Sequence, residues 1–300
     1  MTSQFFPQRI NIEPTNFCNQ KCHFCPRNEM ERPVGNMELD LFKKIIDDLA
    51  GRQVKVWLHF MGEPLLNPAL FDMIEFAKSR NVSEVGLSTN ASFLKGKNKD
   101  RLLAAPLDRL EFSLDALDRS AFLKMRGVDE FEKVRDHVVD FLRTKYASKK
   151  KTPVTSIQFM RTEETLESQR EIVAAWKPLL EDDDFIMMID EFSFVDFSRR
   201  TPTGQNRERT PCDWLWKYMV ILWNGDAPIC LSDYDGTDVL GNVKNESIAD
   251  IWNGEKINRY RRHHLNLEFG EIANCANCDV WKSREFEGRE VEGYTNILTG

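Results

Sequence analysis

The stretch Cys18-Asn19-Gln20-Lys21-Cys22-His23-Phe24-Cys25 decides how the rest of the chain is read. It gathers three thiols directly after a short apolar run, Arg9-Ile10-Asn11-Ile12. Thiolates suit zinc and iron–sulfur clusters. A saturated metal site usually takes four ligands, so three leave a corner open where a substrate or cofactor can bind. The C-x3-C-x2-C spacing is far more specific than a lone C-x2-C pair. By ligand type alone, a zinc site short of one ligand and a set of buried free thiols both stay open.

The bulk properties narrow the setting. The chain has 300 residues, 41% hydrophobic, and a net charge of −7. That length allows one large α/β domain with a smaller appendage. The acidic balance provides no basic field for nucleic acid. No apolar run approaches the ~20 residues of a membrane span, and Met1 to Pro7 lacks the pattern of a secretory signal. A cytoplasmic protein is expected, with no nucleic-acid or membrane partner. In a reducing compartment the seven cysteines read as metal ligands rather than disulfides. They divide as three plus four.

Apolar periodicity predicts strands at 9–13, 54–60, 84–88, 110–115, 154–160 and 185–195. Helices are predicted through Leu41, Ile45, Ile46 and Leu49, with Gly51 as a stop, and near 68–80, 98–104, 118–125, 130–146 and 164–180. Six strand–helix alternations imply an α/β fold with a parallel sheet and helices outside, whose chemistry sits on loops after the strand C-termini. Residues 196–211 are polar and read as a linker or loop over the barrel mouth. Beyond them, 217–223, the turn Asn224-Gly225-Asp226 and 227–231 read as a hairpin. A helix follows with Ser247 as its N-cap. Cys212, Cys230, Cys275 and Cys278 supply a second, closed set of four thiols, suited by ligand type to zinc or to a fully ligated cluster. His59 reads as a strand-core residue. His263 and His264, closing a charged helix, read as surface residues, and Trp214, Trp216 and Trp223 as packing.

The triple-cysteine stretch, Gly62-Glu63-Pro64 one strand later, and Ser113-Leu114-Asp115 followed by Arg126-Gly127 resemble the radical SAM superfamily. The pattern from Asn224-Gly225-Asp226 through Cys230, Leu240-Gly241-Asn242-Val243 and Ile248 to Trp252, ending in Cys275-x2-Cys278, resembles its SPASM/twitch extension. With cysteines for one auxiliary cluster rather than two, the chain is most similar to the twitch group. The resemblance implies a partial (β/α)6 barrel over residues 1–195, a linker at 196–211 and an auxiliary cluster domain at 212–300. It implies a [4Fe–4S] cluster on Cys18, Cys22 and Cys25, whose open iron chelates S-adenosylmethionine. It also favours a second [4Fe–4S] cluster over zinc on Cys212, Cys230, Cys275 and Cys278. For S-adenosylmethionine it points to Phe24 beside the adenine and to Gly62, Glu63 and Pro64 at the methionyl ammonium. Ser88, Thr89, Asn90, Ser113, Asp115 and Arg126 are candidates for its ribose and carboxylate; Gln158 and Arg161 are weaker ones.

The implied activity is reductive cleavage of S-adenosylmethionine to a 5′-deoxyadenosyl radical, which takes a hydrogen atom from the substrate. An oxidoreductase is expected, dehydrogenating a small polar molecule such as a sugar or cyclitol with the auxiliary cluster as electron acceptor. An external one-electron reductant of the flavodoxin or ferredoxin type would feed it. Competing readings are a redox-neutral dehydratase, decarboxylase or epimerase on a sugar or nucleotide, and a peptide-modifying maturase. With every cysteine taken as a ligand, no thiol is left to quench an epimerase radical. Asp190, Glu191, Asp233 and Asp235 are candidate catalytic carboxylates, with Asp196, Arg199 and Arg200 beside them as possible substrate contacts. Turn formation and solvated charge are the simpler explanation for each.

Overall fold

The computed structural model describes residues 6–161, 165, 167–181, 183–190, 208–278, 280–283 and 294–297. Strands and helices alternate through the first part of the chain. The order is β1 (Arg9–Ile12), α1 (Leu39–Asp48), β2 (Lys55–Trp57), α2 (Leu70–Ser79), β3 (Glu84–Thr89), α3 (Lys97–Ala104) and β4 (Arg109–Ser113). Then come α4 (Arg119–Arg126), α5 (Phe131–Ala147), β5 (Val154–Arg161), α6 (Gln169–Trp176) and β6 (Phe185–Asp190). The six strands pair in parallel in sequence order, as the alternation predicts.

The sheet is larger than expected. The later chain contributes β7 (Tyr218–Ile221), parallel to β1, and β10 (Tyr294–Ile297), antiparallel to β6. The expected hairpin at 217–231 forms only in part. Its turn is present, with the Gly225 N–H donating to the Leu222 carbonyl (2.9 Å) and Gly225 at φ 91°. The hydrogen bonds of β7 run to the open edge of β1, from Arg9 against Tyr218 to Ile12 against Ile221. All four β7 residues are buried there, an apolar run that a two-stranded hairpin would leave half exposed. The return strand β8 (Asp226–Pro228) pairs instead with β9 (Val239–Asn242). Two helices, α8 (Ile248–Asn253) and α9 (Glu255–Leu265), follow, and Ser247 caps the first through Oγ and the Asp250 N–H (3.0 Å). Short α7 (Trp214–Lys217) and α10 (Ala273–Ala276) flank the four-thiol site.

The strands have two chemically distinct faces. Outward, Ile10, Ile12, Val56, Val85, Leu87, Leu110, Phe112, Ile157 and Phe159 are fully buried against the helices. Each such side chain contributes about 1.5–3 kcal/mol. Inward, at the alternate positions, Lys55, Trp57, Glu84, Arg109, Glu111, Ser156 and Met187 line an open hollow. Lys55, Glu84 and Arg109 open β2, β3 and β4, so this polar hollow lies at the N-terminal mouth of the barrel, opposite the strand ends that carry the cysteine loop. Trp57 lies across Gly86, where a Cβ would come 2.5 Å from its ring. Among the described residues, no helix is long and apolar enough to cross a membrane. The expected linker at 196–211 lies largely outside the described residues, as do Asp196, Arg199, Arg200 and the segment from Glu191.

Candidate functional site

The first cysteine loop leaves the C-terminal end of β1 and is held from three sides. The N–H groups of Lys21 and His23 donate to the carbonyls of Arg126 (3.1 Å) and Met125 (3.1 Å) at the end of α4. Gly127, at φ 68°, lets this helix end press on the Lys21 carbonyl, 2.4 Å from where a Cβ would stand. From the β3 loop, Asn90 Nδ2 donates to Asn19 Oδ1 (2.9 Å) and reaches Cys18 Sγ at 3.8 Å. From the β2 loop, the Glu63 N–H donates to the Phe17 carbonyl (2.7 Å), and a Cβ on Gly62 would lie 2.2 Å from the Thr15 carbonyl oxygen. Glycine at 62 is thus required by contact with the cysteine loop itself.

Glu63 is buried, and its carboxylate accepts from Leu65 N (3.1 Å), Thr89 Oγ1 (2.7 Å) and Asn90 N (2.7 Å). Burial pushes this carboxyl above the usual range, against the pull of its donors. Glu63 therefore binds the β2 and β3 loops together, while Pro64 opens a buried 3-10 turn, Pro64–Leu66. Ser88 and Ser113 meet across the strands, hydroxyl to hydroxyl (3.2 Å). Arg126 and Asp115 form a buried ion pair; Asp115 also accepts from Met160 N (2.7 Å) and sits at φ 60°. Arg126 Nη1 reaches Cys22 Sγ at 3.7 Å, and its guanidinium lies 5.6 Å from the Phe24 ring centre. Burial alone would lower its pKa, but Asp115 and the Cys22 sulfur outweigh that and raise it, so it stays cationic beside the thiols. Phe24 packs on Met125, Met160, Met187 and Ile189, an apolar wall next to the cysteines. Glu63, Asn90, Asp115 and Arg126 are thus tied, directly or by one neighbour, to the loop that carries Cys18, Cys22 and Cys25, whereas Ser88 and Ser113 bond each other.

The second set converges as well. Cys212, Cys230, Cys275 and Cys278 line one cavity with Trp214, Leu215, Ile229, Val280 and Trp281. Burial pushes Cys230 up to about 12, reinforced by the neighbouring Cys278 and Cys212. Cys275 is raised likewise, by burial and then by Cys230, Cys212 and Cys278. Burial raises Cys25 to about 11 and Cys18 also. Among the described residues no three such ligands surround a single ion position; the four thiols ring a cavity instead. Sulfur-only donors whose negative charges penalise one another fit a cationic iron–sulfur core between them, which removes that penalty.

A clasp joins the two sites. The Arg32 guanidinium pairs with Glu13 (2.6 and 2.8 Å), both groups buried. Glu13 also accepts from Trp223 N (3.2 Å). Arg32 Nε donates to the Tyr234 carbonyl (2.6 Å), and Asp235 Oδ1 accepts from the N–H groups of Glu31 (2.9 Å) and Arg32 (3.1 Å). Asp233 accepts from Thr237 N, Thr237 Oγ1 and Asp238 N, each at 2.8 Å. Both candidate carboxylates after Cys230 thus accept hydrogen bonds from neighbouring loop segments. Asp190 ends β6, and Glu191 lies outside the described residues.

Two histidines depart from expectation. His59 faces the lumen beside Asn11, and His264 is buried at the second cysteine set. The signal for His264 was its spacing from Ile257, Tyr260 and Arg261, which share the buried face of α9. For His59 the signal was parity with Lys55 and Trp57. Arg9 Nε donates to Asn11 Oδ1 (3.2 Å), which turns the Asn11 amide NH2 toward His59 Nε2 (3.3 Å). Nε2 therefore accepts, and Nδ1 carries the proton. Burial, with Arg9 adding to it, lowers His59 to about 3. Because the folded value lies below the ordinary 6.5, this neutral ring stabilises the fold above pH 6.5, and the contribution is lost as pH falls toward 3. A His59→Gln protein is expected to lose about 1–2 kcal/mol less than wild type between pH 7 and 5, read from urea midpoints at equal cofactor loading. Equal losses would contradict the assignment.

Residues 12–172 match the family model of the radical SAM superfamily, and residues 212–279 match that of an iron–sulfur cluster-binding domain, SPASM. The chain is 23% identical, over 93% of its length and 90% of the relative's, to the tungsten-containing aldehyde ferredoxin oxidoreductase cofactor-modifying protein of Pyrococcus furiosus. Its fold is similar to that of BtrN in complex with AdoMet and 2-DOIA, with a TM-score of 0.60 at 18% identity, covering 91% of this chain and 93% of that one. It is also similar to Streptococcus suis SuiB bound to S-adenosylmethionine, with a TM-score of 0.69 at 16% identity, covering 92% and 72%. With three thiols on an open loop after β1 and four more closing a separate cavity, the chain belongs to the radical SAM superfamily, as a member with a SPASM domain.

Proposed function

We propose that this radical SAM enzyme dehydrogenates a small, hydroxyl-rich molecule held in the barrel lumen, passing the second electron to an auxiliary [4Fe–4S] cluster on Cys212, Cys230, Cys275 and Cys278. The observation that carries the reading is the closed four-thiol site clasped to the loop of the first one. S-adenosylmethionine and the two clusters supply, when bound, hydrogen-atom abstraction and single-electron transfer. The protein's own residues bind, orient and shield. In this reading Arg126 takes the methionyl carboxylate in its charged fork, and Phe24 with its methionine wall takes the adenine. The backbone at Gly62, Glu63 and Pro64 serves the ammonium, and Ser88, Thr89, Asn90, Ser113 and Asp115 serve the ribose and the loop geometry.

All seven cysteines are used as cluster ligands, which disfavours a thiol-quenched epimerase. The likeness to BtrN in complex with AdoMet and 2-DOIA agrees in fold; the likeness to SuiB, also solved bound to precursor peptide SuiA, keeps peptide modification as the competing reading. An external one-electron reductant of the flavodoxin or ferredoxin type completes the cycle.

The test is anaerobic incubation of the loaded enzyme with S-adenosylmethionine, reductant and a panel of sugars and cyclitols. A product two mass units lighter, formed one-for-one with 5′-deoxyadenosine, is expected. A product of unchanged mass, or turnover confined to peptides, would contradict the reading.

A further inference from the structure

His264 sits in the last turn of α9 and is 1% exposed. Its two ring nitrogens have different partners. The Cys212 N–H donates to Nδ1 (3.1 Å), so that nitrogen accepts and carries no proton. The ring is neutral, and its proton is on Nε2. Nε2 lies 3.4 Å from Cys275 Sγ. One imidazole therefore bridges two of the four thiol-bearing residues, accepting from the backbone of one and donating to the sulfur of the other. Phe269 meets the ring edge-on at 5.1 Å and Trp216 does so at 6.3 Å, which fixes its plane. Turning the ring over would give up the Cys212 N–H. Arg209 lies nearby: its guanidinium donates to the carbonyls of Cys275 and Ala276 and covers Phe269 at 4.2 Å.

We propose that His264 sets the reduction potential of the auxiliary cluster, by donating its Nε2–H to the thiolate of Cys275. Hydrogen bonds to cluster sulfurs are among the main controls on the potential of such centres. The reduced cluster carries one more negative charge, much of it on sulfur. A donor aimed at that sulfur stabilises the reduced form more than the oxidised one and raises the potential. Burial strengthens the effect, because little water screens the donor. Cys230 receives the comparable bond from a backbone amide, Ser232 N at 3.4 Å, which every sequence could supply. The bond to Cys275 depends on a side chain and is open to change. His264 is thus a positioning residue that acts on an electron carrier without touching substrate. The inference rests on the second cysteine set holding a cluster, not on dehydrogenation being the net reaction.

The experiment is a potentiometric titration of the anaerobically loaded holoenzyme followed by electron paramagnetic resonance. Wild type is compared with His264→Leu and His264→Gln at equal iron and sulfide content. In H264L the auxiliary cluster is expected to become harder to reduce, its reduced-to-oxidised ratio at the wild-type midpoint falling about tenfold, while the first cluster stays unchanged. H264Q, which keeps an acceptor and a donor at the end of its side chain, should recover most of that shift. An unchanged auxiliary midpoint in H264L, or an equal shift in H264Q, overturns the proposal.

Should H264L fail to retain the cluster, protein labelled with 15N-histidine decides the matter. A variant with Cys18, Cys22 and Cys25 replaced by alanine isolates the auxiliary centre from His23. A 15N hyperfine coupling to its reduced cluster that disappears in the H264Q background supports the hydrogen bond; absence of any coupling overturns it.

Discussion

A Gly62→Ala protein is expected to lose about a hundredfold of its S-adenosylmethionine cleavage while keeping its auxiliary cluster. The added Cβ would stand 2.2 Å from the Thr15 carbonyl oxygen and 2.7 Å from that of Phe17. Both are backbone atoms, so no side-chain rotation relieves the overlap. The Thr15–Phe17 segment must move by about 1 Å, and Cys18 follows directly on it. A displacement of about that size at a reacting centre costs about a hundredfold. The Glu63 N–H to Phe17 carbonyl bond (2.7 Å) is the first to stretch, and it belongs to the residue that ties the β2 and β3 loops together. The second cysteine set, reached through other elements, should retain its iron. The check is 5′-deoxyadenosine formation per first-site cluster under excess reductant. Wild-type turnover in G62A would mean that the β2 loop does not set the position of the cysteine loop.

The other large effect concerns stability. Lys145 and Asp184 form an ion pair at 2.6 Å with side chains 2% and 1% exposed. Asp184 also accepts from Tyr146 Oη (2.7 Å) and from Thr155 N (2.7 Å). It therefore pins α5 to the start of β5. Lys145→Met leaves the carboxylate buried without its cation and is expected to cost about 3–5 kcal/mol. Replacing a buried pair with two apolar residues is often neutral, but here Lys145→Met with Asp184→Leu should recover only part of the loss. The Thr155 N–H and the Tyr146 hydroxyl would then lack their acceptor, at about 1–3 kcal/mol for each buried group. Urea midpoints of wild type and the two variants, taken anaerobically at matched cofactor loading, measure this. A double variant as stable as wild type would show that those two donors find other partners.

The parallel sheet was legible because each outward strand face carries apolar residues at alternate positions and each connecting segment repeats at helical spacing. The three-plus-four division of the cysteines was legible from spacing alone. What escaped was decided by pairing between distant segments. Nothing local to Tyr218–Ile221 says that β1 offers a free edge, so the run looks like half of a hairpin when it is the seventh parallel strand. Glu13 looks like an ordinary charge after an apolar strand, yet it becomes a fully buried anchor because Arg32 and Trp223 arrive from 19 and 210 positions away. His264 was hidden by its neighbours: Arg262 and His263 make the end of the helix look solvated, although the face shared with Ile257 and Tyr260 points inward. The sequence places Gly62 at the methionyl ammonium, yet the atoms that a Cβ there would meet belong to the chain itself, the carbonyls of Thr15 and Phe17.

The most direct test of the account compares anaerobically reconstituted wild type with the variant in which Cys18, Cys22 and Cys25 are all alanine. Iron, zinc and sulfide are measured together with 5′-deoxyadenosine formed under a strong reductant. Wild type should hold about eight irons per chain and cleave S-adenosylmethionine, whereas the variant should hold about four and form none. Zinc in place of iron, or 5′-deoxyadenosine produced by the variant, would contradict it.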